Sequence, residues 1–270
     1  MVETALAEDL GSGGDLTSDA IFPIGHRSSA RIVAREPGRV AGTDAIVETY
    51  AMLDASVAVD VLAEDGSEVG RGSVIATIDG PTRSVLSGER VALNLLGRAC
   101  GIATRTAGVV ATIAGTGAVV ADTRKTTPGL RALEKHAVRM GGGRNHRFRL
   151  DDAVMVKDNH IAAAGGIREA VQAVKSRVGH TVKIEVEVDT LDQLAELLDI
   201  GADIVLLDNM SPETLREAVA MVDGSMVTEA SGGITPDNAR AHAETGVDVL
   251  SMGWLTHSAP VLDVSMEVGA

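Results

Sequence analysis

Three short runs concentrate groups able to hold an anion: Asp122-Thr-Arg-Lys-Thr126, Gly141-Gly-Gly-Arg-Asn-His-Arg147 and Val156-Lys-Asp-Asn-His160. Eight of the chain's 24 lysines and arginines fall between Arg124 and Arg149, against one acid, Glu134, while the whole chain has a formal net charge of −14. A local cationic focus captures small anions despite a repulsive global field. Arg124, Lys125, Arg147 and Lys157 stand at expected strand ends or on a glycine-flanked turn, and are the candidates for that focus. Residues 130–139 read in part as an ordinary basic helix face. His146 is the histidine expected in the pocket; His136, His146 and His160 follow no metal-ligand spacing.

Further groups recur at the ends of apolar runs. Glu187 and Asp208 could hold Mg²⁺ through oxygen, bind ribose hydroxyls or stabilise a cationic transition state; either could equally pair with Lys157 or Lys125. Ser231-Gly232-Gly233, followed by a helical pattern and then Ser251-Met252-Gly253, is a phosphate-site pattern. Glycines there let backbone N–H groups approach oxygens, and a helix N-terminus adds its dipole.

These residues must be delivered by a repeating scaffold. Apolar runs predict strands at 118–122, 153–157, 182–188, 203–207, 226–230 and 248–252, and helical patterns at 167–178, 190–200, 211–222 and 235–245 fill most gaps. The last two helices open with Ser211-Pro212 and Thr235-Pro236, each a cap followed by a first-turn proline. Strands alternating with helices imply βα units on a parallel sheet, and the regular ladder suits a barrel, whose sites lie at C-terminal strand ends. Asp122, Arg124 and Lys125 stand at such ends, as do Lys157 and Asp158, Glu187 and Asp189, Asp208 and Asn209, and Glu229.

The first hundred residues read differently. Residues 31–80 look like short alternating strands and turns, and 85–113 like a long helix or helix pair leading to the barrel. Its polar opening, Ser87-Gly-Glu-Arg90, either reaches a site or merely starts the helix. Residues 61–80 resemble a lipoyl or biotinyl carrier hairpin, but a carrier needs a lysine at the hairpin tip, and residues 41–124 contain none. Composition narrows the class further. The single cysteine, Cys100, excludes an internal disulfide or a cysteine-based metal site and reads as a packing residue. No apolar run is long enough to span a bilayer, and the start lacks the features of a signal peptide, so a cytoplasmic protein is expected. Four aromatic residues and an acidic balance disfavour a nucleic-acid partner.

Several runs together resemble the quinolinate phosphoribosyltransferase (nicotinate-nucleotide pyrophosphorylase, carboxylating) family: Ala5-Leu-Ala-Glu-Asp-Leu-Gly11 with Gly14-Asp-Leu-Thr-Ser18, Gly88-Glu-Arg90 with Asn94-Leu-Leu96, and Gly101-Ile-Ala-Thr104. Asp122-Thr-Arg-Lys-Thr126, Asn145-His-Arg147, Lys157-Asp-Asn-His160, Glu185-Val-Glu-Val-Asp189, Leu207-Asp-Asn209 and Ser231-Gly-Gly233 carry it to the end of the chain. The resemblance implies an α/β fold: an N-terminal α/β sandwich domain over 1–101, then an irregular α/β barrel over 102–270 whose C-terminal tail could pack back on the first domain. It also implies a homodimer or higher homo-oligomer with a shared active site. By this resemblance Arg124, His146, Arg147 and Lys157 hold the two carboxylates of quinolinate, Thr123 counts with the substrate-binding residues, and Arg90 comes from the neighbouring subunit. Lys125 contacts phosphoribosyl pyrophosphate and counts with Glu187 and Asp208 as catalytic. Glu187 and Asp208 serve ribose and Mg²⁺, and Ser231, Gly232, Gly233, Ser251, Met252 and Gly253 bind the 5′-phosphate. Arg149 is given no role. The implied reaction joins the pyridine nitrogen to the sugar as pyrophosphate leaves, then expels carbon dioxide to give nicotinate mononucleotide, in NAD biosynthesis, with Mg²⁺ and no organic cofactor. Two other readings stand beside it. A related barrel phosphoribosyltransferase for another base would not need the full Arg124, Arg147 and Lys157 set, and a non-catalytic phosphoribosyl or nucleotide sensor would not need both Glu187 and Asp208.

Overall fold

A computed structural model describes residues 1–269. In chain order the first half contains α1 (Val2–Leu10), α2 (Leu16–Ile21), β1 (Arg27–Ala34), β2 (Gly38–Arg39), α3 (Thr43–Leu53), β3 (Ala58–Val61), β4 (Glu68–Val69), β5 (Val74–Pro81), α4 (Thr82–Ser87) and α5 (Glu89–Thr112). Then follow β6 (Val119–Ala121), α6 (Arg131–Met140), β7 (Val154–Val156), α7 (Asp158–Ala164), α8 (Ile167–Lys175), β8 (Ile184–Val188), α9 (Leu191–Ile200) and β9 (Ile204–Asp208). The chain closes with α10 (Pro212–Val222), β10 (Val227–Ser231), α11 (Ala239–Ala243), β11 (Val249–Ser251), α12 (Trp254–His257) and β12 (Val264–Val268).

Two compact units result. One holds residues 1–107, 126–142 and 255–270; the other holds 108–125 and 143–254. This division differs from a single cut after residue 101. Helix α6 buries Leu133, Ala137 and Val138 in a cluster with Val91, Leu95, Ala99 and Ile102, so the chain leaves the barrel after β6 and returns. The C-terminal tail also counts with the first unit, because β12 pairs antiparallel with β1.

The first unit is a four-stranded antiparallel sheet, order β12-β1-β5-β3. Ile32, Ala76 and Ile78 from the sheet share a core with Ile46 and Tyr50 of α3, Val85 of α4 and Leu96 of α5. A helix over 43–53 and the strand at 264–268 were not expected. The start of α3 has no local cap: the Asp65 carboxylate, far along the chain, accepts the Gly42 and Thr43 backbone N–H groups at 2.8 and 3.0 Å. A helix end satisfied by a distant side chain leaves no signature beside it in the sequence. The expected helix pair does form. It breaks at Gly88, where an added Cβ would meet the Tyr50 ring at 2.6 Å.

The second unit carries six parallel strands in the order β6-β11-β10-β9-β8-β7. All six expected strands are present to within two residues at each end. Helix α9 begins with a capping box between Thr190 and Gln193, and α10 with Ser211 and Pro212. Helix α11 is shorter than expected. The Asn238 carboxamide accepts the Thr235 N–H at 2.7 Å, so the residues after Pro236 form a turn and helix starts at Ala239. The barrel is irregular. Strands β6 and β7 are edges, and beside β6 runs a strand-like segment at Arg144, bridged in parallel to Ala121. No described helix is long and apolar enough to cross a membrane.

Candidate active site

Strand alternation decides which side chains meet inside the second unit. On β8 all five residues are buried, although two are glutamates. Period two sends Ile184, Val186 and Val188 to one face and Glu185 with Glu187 to the other. The same rule pairs Leu206 with Asp208 on β9, Glu229 with Ser231 on β10, and Val249 with Ser251 on β11. Toward the C-terminal strand ends these residues enclose a cavity of about 380 Å³, lined by Thr123, Arg124, Lys125, His146, Arg147 and Lys157. Glu187, Asp208, Glu229, Ser231 and Ser251 face the same space.

The segment beside β6 positions His146 and Arg147. Buried Asp122 accepts the Asn145 amide at 2.5 Å and the His146 backbone N–H at 2.9 Å. Arg147 donates from Nη1 to the Ala153 carbonyl at 2.9 Å. Its pKa lies below the usual arginine value, first because burial disfavours the cation and then because Arg124 repels it. Arg124 has a buried Nε with no hydrogen-bond partner among the described residues. Most buried polar groups in proteins are hydrogen-bonded, so an orphaned guanidinium donor beside a desolvated arginine on one cavity suits an anion.

Glu187 is engaged: Lys157 Nζ lies 2.9 Å from its Oε2, so the ion pair foreseen as an alternative exists. Asp208 carries a raised pKa, first through burial and then through Glu187 and Asp189, with Lys157 and the Ser231 hydroxyl opposing. Three acids and one lysine leave local negative charge, which suits a divalent cation or hydroxyl donors. The serines of the glycine runs are less free than the sequence implied. Ser231 bonds Asp208, and Ser251 bonds Glu229. Gly232 and Gly233 follow at φ 88° and 63°, in the left-handed region. A Cβ on Gly232 would strike the Asn209 side chain at 2.1 Å, so glycine is required there. Gly232, Gly233, Met252 and Gly253 adjoin the cavity-lining serines without lining the cavity themselves.

Arg90 is in the first unit, on α5, with its side chain 71% exposed and 3.5 Å from Glu89. It is not among the residues that line the cavity. Arg131, Lys135 and Arg139 lie on α6 of the first unit, and Arg149 pairs with Asp151. The cationic focus is therefore Arg124, Lys125, Arg147 and Lys157.

Sequence reasoning missed one group. His146 Nε2 lies 3.0 Å from Glu185 Oε2 and 3.6 Å from Glu229 Oε1, and the ligand atoms of these three residues all fall within 4.8 Å of one another. No motif spacing joins them, because three separate elements contribute one residue each. The only available signal was alternation, since Glu185 and Glu229 lie two residues before Glu187 and Ser231 on the same strands.

Parallel βα units that gather cations, acids and a glycine turn at their C-terminal ends define an α/β-barrel enzyme for a small anionic substrate. The profile described as Quinolinate phosphoribosyl transferase, N-terminal domain matches residues 15–100, and that for the C-terminal domain matches 102–267. The chain belongs to the quinolinate phosphoribosyltransferase family. It is 48% identical to a probable nicotinate-nucleotide pyrophosphorylase [carboxylating] of Bacillus subtilis (strain 168), over 97% of this chain and 90% of that one. With the nicotinate-nucleotide pyrophosphorylase [carboxylating] of Mycobacterium leprae (strain TN) it shares 42% identity over 99% and 95% of the two chains. Among solved structures, NadC from Streptococcus pyogenes superposes with a TM-score of 0.94 at 40% identity, covering 98% of this chain and 94% of that one. The nicotinate-nucleotide pyrophosphorylase from Ehrlichia chaffeensis gives 0.95 at 37% identity, covering 99% and 97%.

Proposed function

We propose that the protein transfers the phosphoribosyl group of phosphoribosyl pyrophosphate to the ring nitrogen of quinolinate and releases carbon dioxide, forming nicotinate mononucleotide for NAD biosynthesis. The relatives' names carry this activity. The observation that carries it here is a pair of cations on one cavity with Lys157: Arg124 with its orphaned Nε, and Arg147, whose charge burial and Arg124 disfavour. A dianionic pyridine relieves both and is oriented by two guanidinium planes.

Lys125 faces the same cavity and would neutralise the pyrophosphate side of the second substrate. Glu187 and Asp208 would stabilise the sugar as its anomeric carbon becomes cationic, because their charge lies where positive charge develops. Their surplus negative charge also fits Mg²⁺, which would arrive with the pyrophosphate and neutralise the leaving group. The glycine turns at Gly232, Gly233 and Gly253 offer backbone N–H groups to the 5′-phosphate. Arg90, exposed and outside the barrel ladder, would serve the site of a neighbouring subunit in a homodimer. The single buried Cys100 accords with a cytoplasmic setting.

Incubating the pure protein with quinolinate, phosphoribosyl pyrophosphate and Mg²⁺ tests this directly. Equal amounts of carbon dioxide, pyrophosphate and nicotinate mononucleotide are expected; binding of both substrates without turnover would leave a sensor instead.

A further inference from the structure

Glu229 lines the substrate cavity, yet the transfer step gives it no task. Its side chain is 6% exposed, the Ser251 hydroxyl bonds it, and its Oε1 has no hydrogen-bond partner among the described residues. The nearby imidazole offsets only part of the layer's negative charge. His146 Nδ1 accepts the Arg147 backbone N–H at 2.7 Å, so the one ring proton is on Nε2, and Glu185 takes it at 3.0 Å. Glu185 is itself buried, with an orphaned Oε1. Two carboxylates meet one imidazole in a buried layer, and a proton on Glu229 relieves the repulsion between them.

That proton belongs on Glu229, because Glu185 already accepts the histidine N–H. Burial first and then Glu185 push the Glu229 carboxyl up to about 7, with His146 and Ser251 opposing and Asp122 adding a smaller push upward. Below the layer lies a second cavity of about 370 Å³, bounded by Val119, Val154, Ile204 and Val249, which shares His146, Arg147 and Glu229 with the first. Its edge includes Lys183, 69% exposed. Glu229 thus faces the substrate on one side and a chamber reaching toward solvent on the other.

We infer that protonated Glu229 is the acid that quenches the ring carbon exposed when carbon dioxide leaves. The inference rests on the decarboxylating reading above. In this step the bond from the ring carbon beside the nitrogen to its carboxyl group breaks. Carbon dioxide departs, and the electron pair stays in the ring plane, stabilised by the adjacent cationic nitrogen. In the same step the Glu229 O–H bond breaks toward oxygen and its proton meets that electron pair as the C–C bond breaks, forming the new C–H bond. The acid is therefore part of the barrier to carbon dioxide release. Glu229 is left as a carboxylate and regains a proton from water through the lower cavity, so each turnover consumes one solvent proton.

Glu229→Gln tests it, because glutamine keeps the shape and neutrality of the protonated acid but carries no transferable proton. Rapid-quench assays with quinolinate labelled at the carboxyl beside the nitrogen separate pyrophosphate release from carbon dioxide release. The variant should release pyrophosphate at near the wild-type rate, release carbon dioxide about 100-fold more slowly, a typical effect of losing a general acid, and accumulate quinolinate mononucleotide. Glu229→Asp should recover part of the second step. Equal wild-type rates for both products in Glu229→Gln, or an equal fall in both, would overturn the assignment. So would tight Mn²⁺ binding, seen by paramagnetic resonance, that the substitution abolishes, since a cation would then hold the layer. If the wild type releases no carbon dioxide from quinolinate, the functional reading fails instead.

Discussion

Arg147 holds the Ala153 carbonyl and faces the cavity at once. Charged donors to a carboxylate are worth roughly 1.5–3 kcal/mol each. Arg147→Ala should therefore weaken quinolinate binding by about one to two orders of magnitude, and calorimetric titration that finds unchanged affinity would remove it from the site. Glu229 predicts a pH effect on stability. Its folded value of about 7 lies above the ordinary glutamate value of 4.5. Between those values the native state keeps a proton that the unfolded chain has lost. This contribution is thus fully present below about pH 4.5 and is lost as pH rises to about 7, by at most about 1.4 kcal/mol per unit. Urea midpoints should show Glu229→Gln gaining on the wild type between about pH 5 and about pH 8; a constant difference would mean the carboxyl does not titrate there.

Helix α5 shows how one element constrains another within the first unit. Gly97 and Gly101 lie four residues apart, on one face of the helix. Leu262 donates its N–H to the Gly97 carbonyl at 3.0 Å, and a Cβ on Gly101 would meet the Pro260 carbonyl oxygen at 1.9 Å. Gly101→Ala must push the tail away before β12 can reach β1, and should cost about 1–3 kcal/mol, the usual range for overpacking. Gly108→Ala is the control, because nothing lies within 4 Å of its added Cβ, and a helical alanine should gain about 0.5–1 kcal/mol. Thermal midpoints moving in opposite directions would confirm that packing, not propensity, requires glycine at 101.

For the whole molecule, Arg90 poses the question of assembly, since no strand end of the barrel carries it. If it serves a neighbouring subunit's site, neither an Arg90→Ala nor a Lys157→Ala homodimer contains an intact site. Reassembled mixtures would form hybrids with one complete site and one doubly defective site, as two-fold symmetry requires. Partial recovery of activity on mixing is the expected result. No recovery, with hybrids verified by native mass spectrometry, would assign Arg90 to its own chain or to folding alone. The overall charge of −14 acts at this scale too: it opposes anionic substrates everywhere except at the cationic cavity.

The sequence by itself determined the parts that depend on local periodicity. Apolar runs ending in polar residues marked the six parallel strands, and the residues after them marked the rim, because a parallel barrel brings all C-terminal strand ends to one face. Arg124, Lys157, Glu187 and Asp208 were legible for that reason, and Arg147 through its glycine-flanked turn. Tertiary structure decided what distant residues do to one another. Asp65 caps α3 from outside the helix, α6 leaves the basic run for the core of the first unit, and the tail adds an antiparallel strand. Only folding set His146 against Glu185 and Glu229, three elements whose spacing encodes nothing. Alternation says which face a glutamate takes, but its neighbours across the barrel, and hence its proton, depend on strand order and closure.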